Sequence, residues 1–140
     1  MVEEKNTIIE EVLDEIESSL KDSKGIVAHQ RRLAFALSLG AVTLIENYLN
    51  KEGVLKKGSK INHRWFKKKK ENVKSLISEH IISPIENLKK IDSILDKAYD
   101  LENERNELAY GKLISEDKLK EKINLFLELK KEAEDEPKIN

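Results

Sequence analysis

The chain has 140 residues, of which 38% are charged, and its formal net charge is -1. This length suffices for one domain with a hydrophobic core, and the balanced charge by itself indicates no nucleic-acid or membrane partner. The absence of cysteine excludes disulfides and thiolate metal sites.

The beginning of the chain is an amphipathic stretch rather than a signal peptide. The most apolar run, residues 33–45, is shorter than the roughly 20 residues that cross a bilayer. We therefore expect a cytoplasmic protein that makes no membrane contact.

Two helices are predicted in the first third of the chain. Apolar residues repeat at helical spacing over residues 9–20, and Gly25 is the expected C-terminal cap. A second helix is predicted over residues 27–49. Its middle is apolar almost all round, with small residues that include Gly40, which predicts a central, buried helix that neighbours approach closely.

A basic loop over residues 53–61 is followed by a predicted third helix that carries Trp65 and Phe66. Ser83 and Glu86 form a capping-box pattern around Pro84, which predicts that a fourth helix begins there and runs to Tyr110.

Ser115 is the predicted cap of a fifth helix. These elements predict an all-α bundle of four to five helices, in a single domain over residues 1–130. The charged residues 131–140 are expected to form a disordered tail.

One short run at the end of the predicted fourth helix stands out, Arg105-Asn106-Glu107-Leu108-Ala109-Tyr110-Gly111. At about 100° per residue, Arg105 lies on the same stripe as Ile94, Ala98, Leu101 and Leu108. A guanidinium on a face that is otherwise apolar needs a buried carboxylate or an anionic ligand, because leaving it unpaired costs about 3–5 kcal/mol.

The run resembles the signature of the HEPN family (higher eukaryotes and prokaryotes nucleotide-binding domain). In that signature an arginine, usually followed by a polar residue, precedes a histidine after a gap of four to six residues. Arg105 and Asn106 match the first two places, and Tyr110 stands where the histidine would be. The resemblance covers roughly residues 28–112 and includes the helical layout.

The resemblance implies a dimeric helical bundle that acts as a metal-independent endoribonuclease without cofactors, in many cases a toxin partnered by a nucleotidyltransferase antitoxin. It also implies catalytic roles for Arg105 at the scissile phosphate, for Asn106 in orienting it, and for the residue at position 110. A tyrosine, with a pKa near 10, is a poor base at neutral pH. We therefore expect an RNA- or nucleotide-phosphate-binding protein with weakened or lost catalysis.

Two features leave alternatives open. Glu46, which follows the apolar run of the second helix, is a candidate structural partner for Arg105. A mixed stripe on the fourth helix, which contains Leu88, Leu95, Tyr99, Glu102, Asn106 and Tyr110, fits either a homodimer interface or packing within one bundle. The alternative function is therefore a non-enzymatic interaction or regulatory protein that binds a partner chain.

Residues 54–70 contain eight Lys or Arg and no acidic residue. Such a segment is suited to phosphate contacts. The candidate nucleic-acid-binding residues are Lys57, Lys60, His63, Arg64, Lys67 and Lys68. Trp65 and Phe66 are interpreted as core anchors.

The spacing of the three histidines predicts no metal site. If the basic segment folds over the motif, His63 is the residue that would replace the missing histidine.

Overall fold

Helices account for most of the chain. The computed structural model describes residues 2–103 and 105–135, with side chains from residue 7 onward. Its α-helices are α1 (Val2–Lys21), α2 (Gln30–Lys51), α3 (Lys70–Ser78), α4 (Ile91–Asn103), α5 (Arg105–Tyr110) and α6 (Glu116–Glu134). Short 3-10 turns cover Ile26–His29, His63–Lys67 and Ile85–Asn87. The predicted all-α fold is confirmed. Within the described ranges, β structure is limited to an isolated bridge between Leu55 and Ile81.

Helix α2 is the centre of the bundle and packs against α1, α4, α5 and α6. Gly40 explains how α6 comes so close, because a Cβ atom there would lie 2.5 Å from a ring carbon of the buried Phe126. By length and composition, residues 26–51 pass as a candidate membrane span, but 72% of the window is buried among the other helices. The prediction of a central, buried second helix is confirmed.

The predicted start of the fourth helix is wrong. Helix α4 begins at Ile91, and the Ser83 hydroxyl, expected to cap a helix, is buried without a hydrogen-bond partner among the described residues. The preceding segment buries Ile85, Leu88 and Ile91 at three-residue intervals. A 3-10 turn followed by extended backbone at Leu88, and not an α-helix, presents these side chains to the core.

The third helix is also divided. Its first part is the 3-10 turn His63–Lys67, and α3 begins only at Lys70. Phe66 is buried as expected, and Trp65 is half-buried and stacked on His80 with ring centroids 5.2 Å apart. The aromatic residues therefore anchor the basic segment to the core.

The ends of the other helices differ from prediction by a few residues. Helix α1 stops at Lys21, so Gly25, with φ +88°, lies in the following turn rather than directly at the helix end. The predicted cap at Ser115 is confirmed, because its hydroxyl accepts a 3.2 Å hydrogen bond from the Lys118 N–H. Helix α6 continues to Glu134 with Ala133 buried, so the bundle extends beyond residue 130. Residues 136–140 of the predicted tail lie outside the described residues.

Candidate functional site

The motif lies on α5, whose C-terminal end is held by the first turn of α2. The Gln30 side-chain amide donates to the carbonyls of Leu108 (3.1 Å) and Lys112 (3.0 Å), and its oxygen accepts from the Ile114 N–H (2.8 Å). The Arg31 guanidinium donates to two further carbonyl oxygens there. These contacts satisfy backbone carbonyls at the end of the helix that carries the motif.

Arg105, the first residue of α5, is half-buried. Its guanidinium carbon lies 5.1 Å from the centre of the Phe35 ring, and one terminal nitrogen makes a long, 3.4 Å hydrogen bond to the Asn106 side chain. The Nε atom is buried, and none of the described residues accepts a hydrogen bond from it. The charge is therefore held by packing against an aromatic ring while part of its hydrogen-bonding capacity is unused.

An open cleft of about 220 Å³ lies beside Arg105. We call it the motif cleft. It is lined by Phe66, Lys67, Glu102, Asn103, Arg105 and Asn106. Two of the three motif residues expected to act together, Arg105 and Asn106, therefore share one cleft, and the basic segment contributes Lys67 to the same wall.

Glu102 lines the cleft without having been predicted to take any specific part in a site. It is buried, and its carboxylate accepts a hydrogen bond from the Ser38 hydroxyl of α2. Burial raises the pKa of Glu102, while the Ser38 hydrogen bond and the charges of Arg105 and Lys67 oppose that shift. In the sequence, only its position four residues before Asn106 on the mixed stripe pointed to Glu102 as a site residue. Periodicity alone could not indicate that its carboxyl group lies inside a cleft.

His63 begins the 3-10 turn whose other end provides Phe66 and Lys67 to the motif cleft. Burial, then the charges of Arg105, Arg64 and Lys67, lower its pKa. Its Nδ1 atom is buried without a hydrogen-bond partner in the described part of the chain. The basic segment thus does fold towards the motif, and His63 lies within electrostatic reach of Arg105.

The remaining basic candidates are dispersed. Lys60, His63 and Arg64 line a second cleft, of about 650 Å³, between the basic segment and α2. Lys57 and Lys68 are exposed and do not line either cleft.

Tyr110 lies outside the lining of the motif cleft. It is 74% exposed, and its ring meets the Phe35 ring edge-to-face at 5.9 Å. Phe35 therefore contacts both Arg105 and Tyr110. The structure brings Tyr110 near the arginine through this shared ring and not as a lining group of the cleft.

The carboxylate expected to pair with Arg105 is engaged elsewhere. The Glu46 side chain accepts a 2.6 Å hydrogen bond from the Ile61 N–H, which fixes the end of the basic loop to α2. The charges of Glu102 and Arg105 interact, and the ion pairs found among the described side chains do not include one between these two residues.

A second charged cluster, the His29 elbow, joins α1 to α2. His29 is buried, and its two ring nitrogens lie 3.0 Å from the Glu15 carboxylate and 2.7 Å from the Asp22 carboxylate. Arg32 donates a 3.2 Å hydrogen bond to Glu15. The hydrogen bonds to Glu15 and then Asp22 raise the pKa of His29.

Over residues 2–103 and 105–135, no group of three or more His, Asp or Glu side chains converges in a way that would hold a metal ion. Comparisons of the chain with protein-family models, with curated proteins and with solved structures give no match. The chemistry of the motif cleft therefore has to follow from its own residues.

Proposed function

We propose that the chain is a HEPN-like helical domain that binds RNA by a backbone phosphate in the motif cleft. The observation that carries the proposal is the position of Arg105, which is half-buried, borders open space beside Asn106, and has a buried Nε without a partner among the described residues. A guanidinium in this state matches the geometry and charge of a phosphate.

The neighbours of Arg105 suit the same ligand. Asn103 and Asn106 offer amide groups to phosphate or ribose oxygens, and Lys67 adds a second positive charge. The cleft volume of about 220 Å³ is below the roughly 300–1,000 Å³ of a typical small-molecule site. This size favours one phosphodiester unit of a longer chain over a complete free nucleotide.

The proposal includes little or no RNA cleavage by the motif tyrosine. A residue that lies outside the cleft lining and carries a phenol is poorly suited to abstract a proton from a ribose hydroxyl. The proposal also includes a cytoplasmic location, and a nucleotidyltransferase antitoxin as the partner that the resemblance implies.

The test is binding and cleavage of a fluorescent single-stranded RNA, measured at about 50 mM and about 200 mM salt. Arg105→Ala should lower the affinity about 10- to 100-fold, because a hydrogen bond to a charged group contributes about 1.5–3 kcal/mol. Arg32→Ala removes the same charge at the His29 elbow, outside the cleft, and should leave the affinity within about twofold. Equal affinities of the native protein and a folded Arg105→Ala variant would refute the proposal.

An apolar patch next to the cleft supports a homodimer as part of this proposal. Phe35 and Leu39 lie one turn apart on α2 and are 41% and 47% exposed, and the exposed Tyr110 contacts Phe35. A second copy that covers this patch would bring two motif clefts close together.

The same patch favours the second candidate function, a domain that binds another protein chain and no RNA. Sedimentation of the native protein, of Leu39→Glu and of the control Leu127→Glu on α6 tests the dimer. We expect Leu39→Glu alone to produce monomers. A native protein that is monomeric and does not bind RNA would favour the second candidate.

A further inference from the structure

Glu102 places a carboxyl group where a bound phosphate would repel its negative charge. It lines the same cleft as Arg105 and Asn106, and it is fixed there because it is buried and bonded to Ser38. Two negative charges in one partly enclosed cleft cannot both persist without a large cost. A proton taken up by the carboxyl would remove this repulsion.

We propose that the motif cleft is a proton-coupled phosphate site, in which Glu102 binds a proton when a phosphodiester occupies Arg105 and then donates a hydrogen bond to a phosphate oxygen. This inference rests on the proposed function and names the group that regulates it. The ionised carboxylate excludes phosphate from the cleft, and the neutral carboxyl becomes part of the binding site.

The groups that face Glu102 come from three elements. Ser38 of α2 donates a hydrogen bond, Arg105 of α5 provides the positive charge with the larger effect on Glu102, and Lys67 of the 3-10 turn adds a smaller one. In the free protein the two cations favour the carboxylate, while burial opposes it. A bound phosphate neutralises these cations and adds its own negative charge, so both changes favour protonation.

The Ser38 contact is compatible with this role. The hydroxyl donates to one carboxyl oxygen, Oε1, which leaves the other oxygen to carry the proton and to donate it in a hydrogen bond. A neutral carboxyl that donates a hydrogen bond to an anionic ligand, next to an arginine, offers the phosphate two kinds of donor.

The test measures the affinity for a fluorescent single-stranded RNA from about pH 5 to about pH 8. The native affinity should fall as pH rises, by up to about tenfold per pH unit for one linked proton. Glu102→Gln keeps an amide that can accept the Ser38 hydrogen bond and donate to phosphate, so it should bind at least as tightly as the native protein at low pH and show almost no fall.

Two variants distinguish Glu102 from the other titratable groups near the cleft. Glu107→Gln removes an equal charge from an exposed carboxylate of α5 and should keep the native pH slope. His63→Gln should remove only the part of the slope that comes from the protonated His63 ring and should keep the part that comes from Glu102. A slope that disappears in His63→Gln but persists in Glu102→Gln would overturn the proposal.

Calorimetry of the native protein in two buffers of different ionisation enthalpy gives the number of protons taken up on RNA binding, without any variant. Uptake approaching one proton supports the proposal, and pH-independent binding without uptake overturns it while leaving the phosphate site intact. Failure of the native protein to bind RNA, or equal binding by Arg105→Ala, would instead refute the proposed function itself.

Discussion

The His29 elbow and the motif cleft are both charged clusters against α2, yet they use their charges differently. At the elbow, each ring nitrogen of His29 lies within hydrogen-bonding distance of a carboxylate. At the motif cleft, Arg105 Nε is buried without a partner among the described residues, and so is Nδ1 of His63 in the neighbouring 3-10 turn. A cluster whose hydrogen bonds are satisfied internally stabilises a fold, and one with unused donors is suited to a ligand.

The pKa values of His29 and His63 show this difference. Carboxylates raise the pKa of His29, whereas burial and neighbouring cations lower that of His63. The comparison predicts that changes at the elbow alter stability and leave RNA binding intact, and that changes in the cleft do the reverse.

The largest effect is expected at Gln30, the residue that connects the two regions. Gln30→Ala would leave buried carbonyl and N–H groups near the end of α5 without their partner. We expect the free energy of unfolding to fall by about 2–3 kcal/mol. RNA affinity should fall as well, because α5 carries Arg105. Urea unfolding measures the stability, and RNA titration measures the affinity. A loss of stability with unchanged affinity would show that the Gln30 hydrogen bonds do not position Arg105 for RNA binding.

Replacing each histidine by alanine gives the next largest effect and compares the two regions directly. His29→Ala should lower the free energy of unfolding by about 1–3 kcal/mol, since two carboxylates lose their hydrogen-bonding partner. His63→Ala should change it by no more than about 0.5 kcal/mol. Equal losses in urea unfolding would show that His63 is as structural as His29.

The pH dependence of stability should have opposite signs for these residues. Because the pKa of folded His29 is raised above 6.5, its contribution is fully present below that value and is lost as pH rises through the raised pKa. The pKa of folded His63 is lowered, so its contribution is present above 6.5 and is lost as pH falls towards the lowered value. Urea unfolding of His29→Gln and His63→Gln across this range should remove one dependence each; a native profile kept by both variants would contradict the assignment.

The smallest expected effect distinguishes two adjacent lysines. Lys67 lines the motif cleft and Lys68 does not. Lys67→Ala should reduce RNA affinity about two- to fivefold and lower the slope of log affinity against log salt by about one. Lys68→Ala should change both less. If the two variants behave alike in salt titrations, the basic segment acts as a diffuse surface and not through the cleft.

The all-α fold and the central helix were predictable because they follow from helical periodicity and from an apolar run with small residues. The start of the fourth helix was not, since Ser83, Pro84 and Glu86 form a good local capping pattern that tertiary burial of Ile85 and Leu88 overrides. Local capping contributes about 1 kcal/mol, less than the burial of two large apolar side chains.

At the candidate site, the sequence singled out Arg105 and Asn106, and it named Glu46 where the structure places Glu102 in the cleft lining. Glu46 and Glu102 both lie on helices at positions compatible with a buried partner. What separates them is how α2 and the 61–67 segment pack together, which depends on contacts between residues distant in sequence. His63 could be suggested only conditionally for the same reason.

The anchoring of α5 by Gln30 and Arg31 also has a consequence for the order of folding. The two ends of these hydrogen bonds are separated by 78 to 84 residues along the chain. Closing such a long loop is entropically costly, so the motif cleft should be one of the last features to form during folding. An excised peptide that carries the motif should lack the cleft.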